Sequence, residues 1–218
     1  VENELQELMK SVKFYIDLEK ESGMKEFFSM QKSATNDGLD ALKKEVAKCA
    51  RCGLAKTRLN VVFGSGSPKA SLVFVGEAPG EEEDRQGLPF VGRAGQLLTK
   101  IIEAMGLRRE DVYIANILKC RPPNNRAPLP DEIVACADNV RRQLEIINPK
   151  VICTLGKFAS QTLLNTDTPI SALRGNFYEY NGIKVMPTFH PAYLLRNPPD
   201  KKLVWSDMKK IMKELRIG

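Results

Sequence analysis

Five cysteines and a single histidine carry most of the chemical signal in this chain. Cys49 and Cys52 form a C-x2-C pair, and Cys120 and Cys136 are separated by fifteen residues across the turn R-P-P-N-N-R-A-P-L-P. Two pairs distant in sequence can converge as four thiolates, a donor set that suits tetrahedral zinc and an iron–sulfur cluster equally well. Cys153 lies in K-V-I-C-T-L-G and reads as a small buried core residue. His190, in T-F-H-P-A-Y-L-L-R, is either a packed ring or a pocket group. Asn116 lies in the apolar run I-A-N-I-L-K-C, where an unmatched amide costs a few kcal/mol, so it needs a partner from the protein or from a ligand. The fourth feature is G-E-A-P-G-E-E-E-D, Gly76 to Asp84, followed by R-Q-G-L-P-F-V-G-R-A-G. Its glycines and prolines make a sharp exit and leave backbone N–H groups free to face a ligand. Four consecutive acids would repel phosphate if all faced it, so some must point away or serve a special purpose. With Phe90 and two glycines beside them, the segment reads as a functional loop.

The elements that must position these residues alternate from residue 40 onward. Short Val- and Ile-rich runs at Ser71–Gly76, Val112–Lys119, Val151–Leu155 and Ile183–Thr188 predict strands. Amphipathic stretches near Ala94–Met105, Pro130–Ile147, Lys157–Leu163 and Lys201–Leu215 predict helices between and after them. The expected fold class is α/β, a three-layer α/β/α domain with a four-stranded, mostly parallel sheet covered on both faces. Ligands bind such sheets at the carboxyl ends of the strands, which is where Glu77–Gly80, Asn116–Arg126, Gly156 and His190–Arg196 fall. Residues 1–38 form an N-terminal extension of amphipathic helices and a Ser-, Asn- and Gly-rich linker, and residues 39–218 the main domain.

At 218 residues, 43% hydrophobic, the chain is long enough to bury one sizeable core. Its longest apolar runs are too short to span a bilayer, and acidic Glu2 and Glu4 stand where an export signal is basic. A soluble, cytoplasmic protein with no membrane partner is expected. In such a reducing compartment its cysteines bind metal in preference to forming disulfides. The net charge of +6 favours a polyanionic partner.

Together these motifs resemble the family 4 uracil-DNA glycosylases, the iron–sulfur type. The likeness covers about Leu42 to Leu215 through C-A-R-C-G-L, G-E-A-P-G-E-E-E-D, G-L-P-F-V-G-R-A-G-Q-L-L, N-I-L-K-C-R-P-P-N-N-R-A-P-L-P-D-E and F-H-P-A-Y-L-L-R-N-P. The resemblance implies a 4Fe–4S cluster on Cys49, Cys52, Cys120 and Cys136, and a uracil pocket at the strand ends. It places Phe90 on the uracil ring, Asn116 on its Watson–Crick edge, His190 on O2, and Gly76, Glu77 and Ala78 around the base and sugar. Leu194 would wedge into the vacated base stack and Arg196 would contact phosphate.

Where better-known members of the superfamily carry a water-orienting Asp and a thymine-blocking Tyr, this chain has Ala78 and Gly80. Glu77 and Glu83 are the candidates for positioning water. A related group traps DNA on a second histidine, which this chain lacks, so turnover is expected. The implied activity is that of a monomeric enzyme that flips uracil from single- or double-stranded DNA and hydrolyses its N-glycosidic bond, the first step of base excision repair. The rival reading is a non-catalytic nucleic-acid-binding module stapled by its cysteines, which explains the charge and the thiols but not the grouping of Phe90, Asn116 and His190.

Overall fold

The computed structural model describes residues 37–217, so the helices predicted within residues 2–30 lie outside the described residues. The chain divides into Val1–Gly38 and Leu39–Gly218, and the second unit holds everything that follows.

Strand β2 (Leu72–Gly76) shows how the layers arise. Successive side chains of a strand face opposite sides of a sheet. Val73 and Val75 enter one core with Leu42 and Val46 of α1 (residues 37–47), Val140 and Leu144 of α4 (Pro130–Ile147) and Leu163 of α5 (Lys157–Leu164). Leu72 and Phe74 enter the opposite core with Leu98 and Ile102 of α3 (Arg93–Ala104) and Val204, Met208 and Ile211 of α8 (Lys201–Leu215). A strand buried on both faces is expected to be almost wholly apolar, as β2 is and as β4 (Val151–Leu155) is apart from Thr154, whose hydroxyl is paired with Ser160 Oγ at 2.8 Å.

The sheet has six strands, not four. The order is β1-β3-β2-β4-β6-β5. Its centre consists of the expected parallel strands β3 (Tyr113–Asn116), β2, β4 and β6 (Ile183–Thr188). Two short antiparallel strands, β1 (Ser65–Gly66) and β5 (Tyr178–Tyr180), close the edges. The β5–β6 hairpin turns through Asn181 and Gly182, both at positive φ, the pairing that a two-residue type I′ turn requires. Short helices α2 (Glu81–Gln86), α6 (Ile170–Leu173) and α7 (Pro191–Arg196) complete the domain. No helix among the described residues is long and apolar enough to cross a membrane.

Candidate functional site

The carboxyl ends of β2 and β3, together with the segment after β6, open into a cavity of about 520 Å3 lined by Glu77, Ala78, Phe90, Asn116, His190 and Arg196 among others. Seven residues picked out by the sequence, Glu83 together with these six, thus converge on one space. Glycines make the convergence possible. A Cβ on Gly76 would collide with both Oδ1 of Asn116 and the ring of Phe90. At the end of β4, which lies between β2 and β6, Gly156 leaves room for His190: a Cβ there would stand 3.0 Å from the histidine Cβ.

Asn116 is 1% exposed, yet neither its Nδ2 nor its Oδ1 has a hydrogen-bond partner. A buried amide left wholly unpaired costs several kcal/mol, and here the pair forms an open donor–acceptor edge on a residue that lines the cavity. Phe90 lies beside it, 6% exposed, with its ring centroid 5.6 Å from that of His190 and tilted by 33°.

Phe90 adopts φ +53°, a conformation that costs a bulky residue roughly 1–3 kcal/mol and persists only when its surroundings enforce it. Three restraints are visible. The Glu83 carboxylate accepts from the N–H groups of Val91 (2.8 Å) and Gly92 (2.9 Å). Arg109 donates to the Pro89 carbonyl (2.5 Å) and to Thr99 Oγ1 (3.0 Å). Gly95 lets the Phe90 carbonyl lie where a Cβ would otherwise be.

The four acids form the first turn of α2, where negative charge complements the helix dipole. Glu81 pairs with Arg85 and Arg121, and Glu82 with Arg85. Asp84, 2% exposed, accepts from the N–H groups of Leu59 (3.0 Å) and Asn60 (3.2 Å). Glu83 also accepts from Gly80 N–H (3.1 Å), so both of its oxygens serve the backbone. It lines the cavity, but its carboxylate is committed to shaping the loop. That leaves Glu77 as the acid without such obligations; burial holds its carboxyl above the usual carboxylate range.

His190 caps α7: its Nδ1 accepts the Ala192 N–H at 3.1 Å. Nδ1 is therefore unprotonated and the ring proton lies on Nε2. Burial first, and the nearby Arg196 second, push its pKa down to about 4, partly opposed by Glu83. The ring is a neutral donor at neutral pH.

Leu194 requires correction. It is 0% exposed and belongs to the α3–α8 core, so it is not free to enter DNA. The next residue, Leu195, is 37% exposed. Arg196 is exposed at the cavity rim. Tyr193, Asn125 and Arg126, which fall in the strand-end segments expected from the sequence but were assigned no role there, also line the cavity; the last is held by Glu132 at 2.6 Å.

Cys49, Cys52, Cys120 and Cys136 line a second, smaller cavity, and Cys153 is wholly buried in β4. The sulfurs accept hydrogen bonds: Arg51 Nε to Cys49 (3.4 Å), Arg58 to Cys120 (3.2 Å) and the Lys119 N–H to Cys136 (3.3 Å). Burial pushes the Cys49 thiol up, but the Arg51 hydrogen bonds and charge outweigh it and the net shift is downward. At Cys120 burial prevails over Arg58 and the shift is upward.

Fold and site define a three-layer α/β/α protein with a pocket at its strand ends and a separate cluster of thiols. A family model described as the uracil DNA glycosylase superfamily matches residues 63–214. The chain is 49% identical over 183 residues to a type-4 uracil-DNA glycosylase of Archaeoglobus fulgidus, covering 80% of this chain and 92% of that protein. It is 49% identical over 176 residues to a type-4 enzyme of Thermotoga maritima, covering 79% and 92%. A type-5 uracil-DNA glycosylase of Pyrobaculum aerophilum is more distant, 31% identical over 146 residues and covering 59% of this chain. The chain belongs to the uracil DNA glycosylase superfamily, with its type-4 members.

Proposed function

We propose that this chain excises uracil from DNA by hydrolysing the N-glycosidic bond, and that the unpaired amide of Asn116 reads the base. That amide is the observation that carries the reading. Its Nδ2 donates to uracil O4 and its Oδ1 accepts from N3–H, satisfying both orphaned atoms at once. Cytosine presents the reverse pattern and would leave two buried groups opposed. Phe90, held beside Asn116, stacks on the extruded ring.

Breaking the glycosidic bond leaves its electron pair on uracil, delocalised toward O2, and positive character on the sugar. The neutral His190 ring donates from Nε2 to O2 as that charge grows. Glu77, at the cavity wall, stabilises the sugar cation and orients a water that adds to C1′ while the water's proton passes to the carboxylate. Such preorganised groups act most strongly where water is scarce. Arg196 contacts phosphate at the rim, and Leu195 takes the wedge role that the buried Leu194 cannot.

The four cysteines hold a 4Fe–4S cluster. All four line one cavity although they come from segments distant in sequence, and a set of four thiols fits such a group; the likeness to the iron–sulfur glycosylases supports the cluster over a single ion. When bound, it would cross-link the segment after α1, the segment after β3 and α4, and would take part in no reaction step.

The test is release of uracil from a uracil-containing oligonucleotide, scored as abasic sites. Parent protein should cleave it; Asn116→Ala and Asn116→Asp should both cleave far more slowly, since the expected discrimination for a hydrogen-bonded base is about 10⁴- to 10⁵-fold. Parent-like rates in both variants would remove Asn116 from base reading.

A further inference from the structure

Lys119 is 1% exposed and immediately precedes Cys120. Its ammonium donates to the backbone carbonyl of Asn116 (2.7 Å) and to Oε1 of Gln143 (2.6 Å). Its backbone N–H donates to Cys136 Sγ (3.3 Å), and the residue lines the same cavity as the four cysteines. Gln143 lies on α4, the helix that also carries Cys136, and its Nε2 donates to the Phe63 carbonyl (2.9 Å) and to the Tyr113 hydroxyl (3.0 Å). An ammonium taken out of water costs several kcal/mol unless its donors are matched and an anion is near. Here both acceptors are neutral, and the thiolate site is the adjacent source of negative charge. The expensive placement has a structural return. The carbonyl it grips belongs to the residue whose side chain is left open to the cavity, and a recognition group must be held to within about 0.5 Å to discriminate.

We propose that Lys119 is a positioning residue that couples the four-cysteine centre to base recognition, by clamping the main chain of Asn116 so that its amide stays aligned beneath the base. The inference rests on the base-reading assignment of Asn116. It makes the metal centre a support for recognition as well as for the fold.

The experiment uses the full chain with its iron, comparing the parent, Lys119→Met, Asn116→Ala and the double variant. Two quantities are measured: single-turnover excision of uracil, and inhibition by free uracil. Lys119→Met should keep the cluster's visible absorbance, slow excision about 10- to 100-fold and weaken uracil inhibition by a similar factor, the usual size of losses from supporting residues. In the Asn116→Ala background the same change should cost nothing further. Multiplying losses, or an unaltered Lys119→Met protein beside a slow Asn116→Ala protein, would overturn the coupling. Parent-like excision by Asn116→Ala would instead defeat the base-reading assignment on which it depends. If Lys119→Met loses its iron, Gln143→Leu and Gln143→Glu carry the test. Both lose the amide donor, but only Glu keeps an acceptor for the ammonium. Gln143→Leu should therefore lose uracil affinity while Gln143→Glu stays closer to the parent, and equal losses would sink the proposal.

Discussion

At the residue scale, catalysis depends on which protonation state each buried group adopts. Because Nδ1 of His190 is occupied by the Ala192 N–H and the ring is held neutral down to about pH 4, the proposed donation from Nε2 is available across the range from pH 5 to 8. Removing one preorganised donor to developing charge typically costs about 10²- to 10³-fold in rate. His190→Ala should show that loss in single-turnover excision while binding of abasic DNA stays near the parent value; a parent-like rate would make the ring a mere packing group. Glu77 behaves oppositely. Burial raises its folded pKa, so the carboxylate form is the disfavoured one. Its contribution to stability is full below the unfolded pKa and is lost as pH rises through the folded value. Glu77→Gln should consequently match or exceed the parent in thermal stability at neutral pH, with the difference vanishing on acidification, while excision falls sharply. Parent activity should decline as pH drops through a value above the usual carboxylate range, and that inflection should be absent from the residual activity of the Gln variant.

Glu77, Asn116 and His190 stood out in the sequence because each ends or follows a strand, where an α/β sheet collects its ligand-binding groups, whereas Phe90 lies beyond α2 and stood out only through the glycine-rich loop motif around it. It could not separate Glu77 from Glu83, since nothing local says that three backbone N–H groups have claimed the second carboxylate. Lys119, Gln143 and Arg109 read as ordinary polar residues along the chain. Their importance comes from burial by elements distant in sequence, as in the 80-residue separation between Gln143 and Phe63.

At the scale of elements, α7 shows how one residue of register changes a role. Pro191 starts the helix directly after its His190 cap, and successive helical side chains turn by about 100°. Leu194 is thereby directed into the α3–α8 core and Leu195 outward. Counting along the motif selects the first leucine; helical geometry selects the second. Leu194→Ala should cost about 2–5 kcal/mol in unfolding free energy, as expected for a filled core position. Leu195→Ala should change stability by no more than about 0.5 kcal/mol. It should slow excision from duplex DNA more than from single strands, where no stack has to be refilled. Equal effects on both substrates would argue against a wedge. Neither edge strand was expected from the sequence: the Asn181–Gly182 turn between Y-E-Y and I-K-V is a hairpin signal that the four-strand reading left unused, whereas the two-residue β1 has too little pattern to register.

At the scale of the whole molecule, the thiol centre joins parts of the chain that the sheet alone leaves distant. Cys49 and Cys52 follow α1, Cys120 lies beyond β3, and Cys136 is in α4, with Arg51 bonded to Asn139 on that helix at 2.5 Å. A metal bound only by the folded arrangement contributes its binding energy to folding, so its removal should act on the entire domain. The purified protein is expected to be brown and to contain iron. Cys120→Ala should abolish the colour and lower the unfolding temperature. Cys153→Ala should keep the colour, because that thiol lies in the opposite core, wholly buried among Phe74, Val151 and Met186 neighbours of the sheet. Its cost should be confined to local packing. Chelation of the parent should reproduce the Cys120→Ala melting temperature, and it should have no further effect on the Cys120→Ala protein itself. A colourless parent carrying stoichiometric zinc with full excision activity would overturn the cluster assignment while leaving the pocket chemistry intact, since no bond-breaking step passes through the metal.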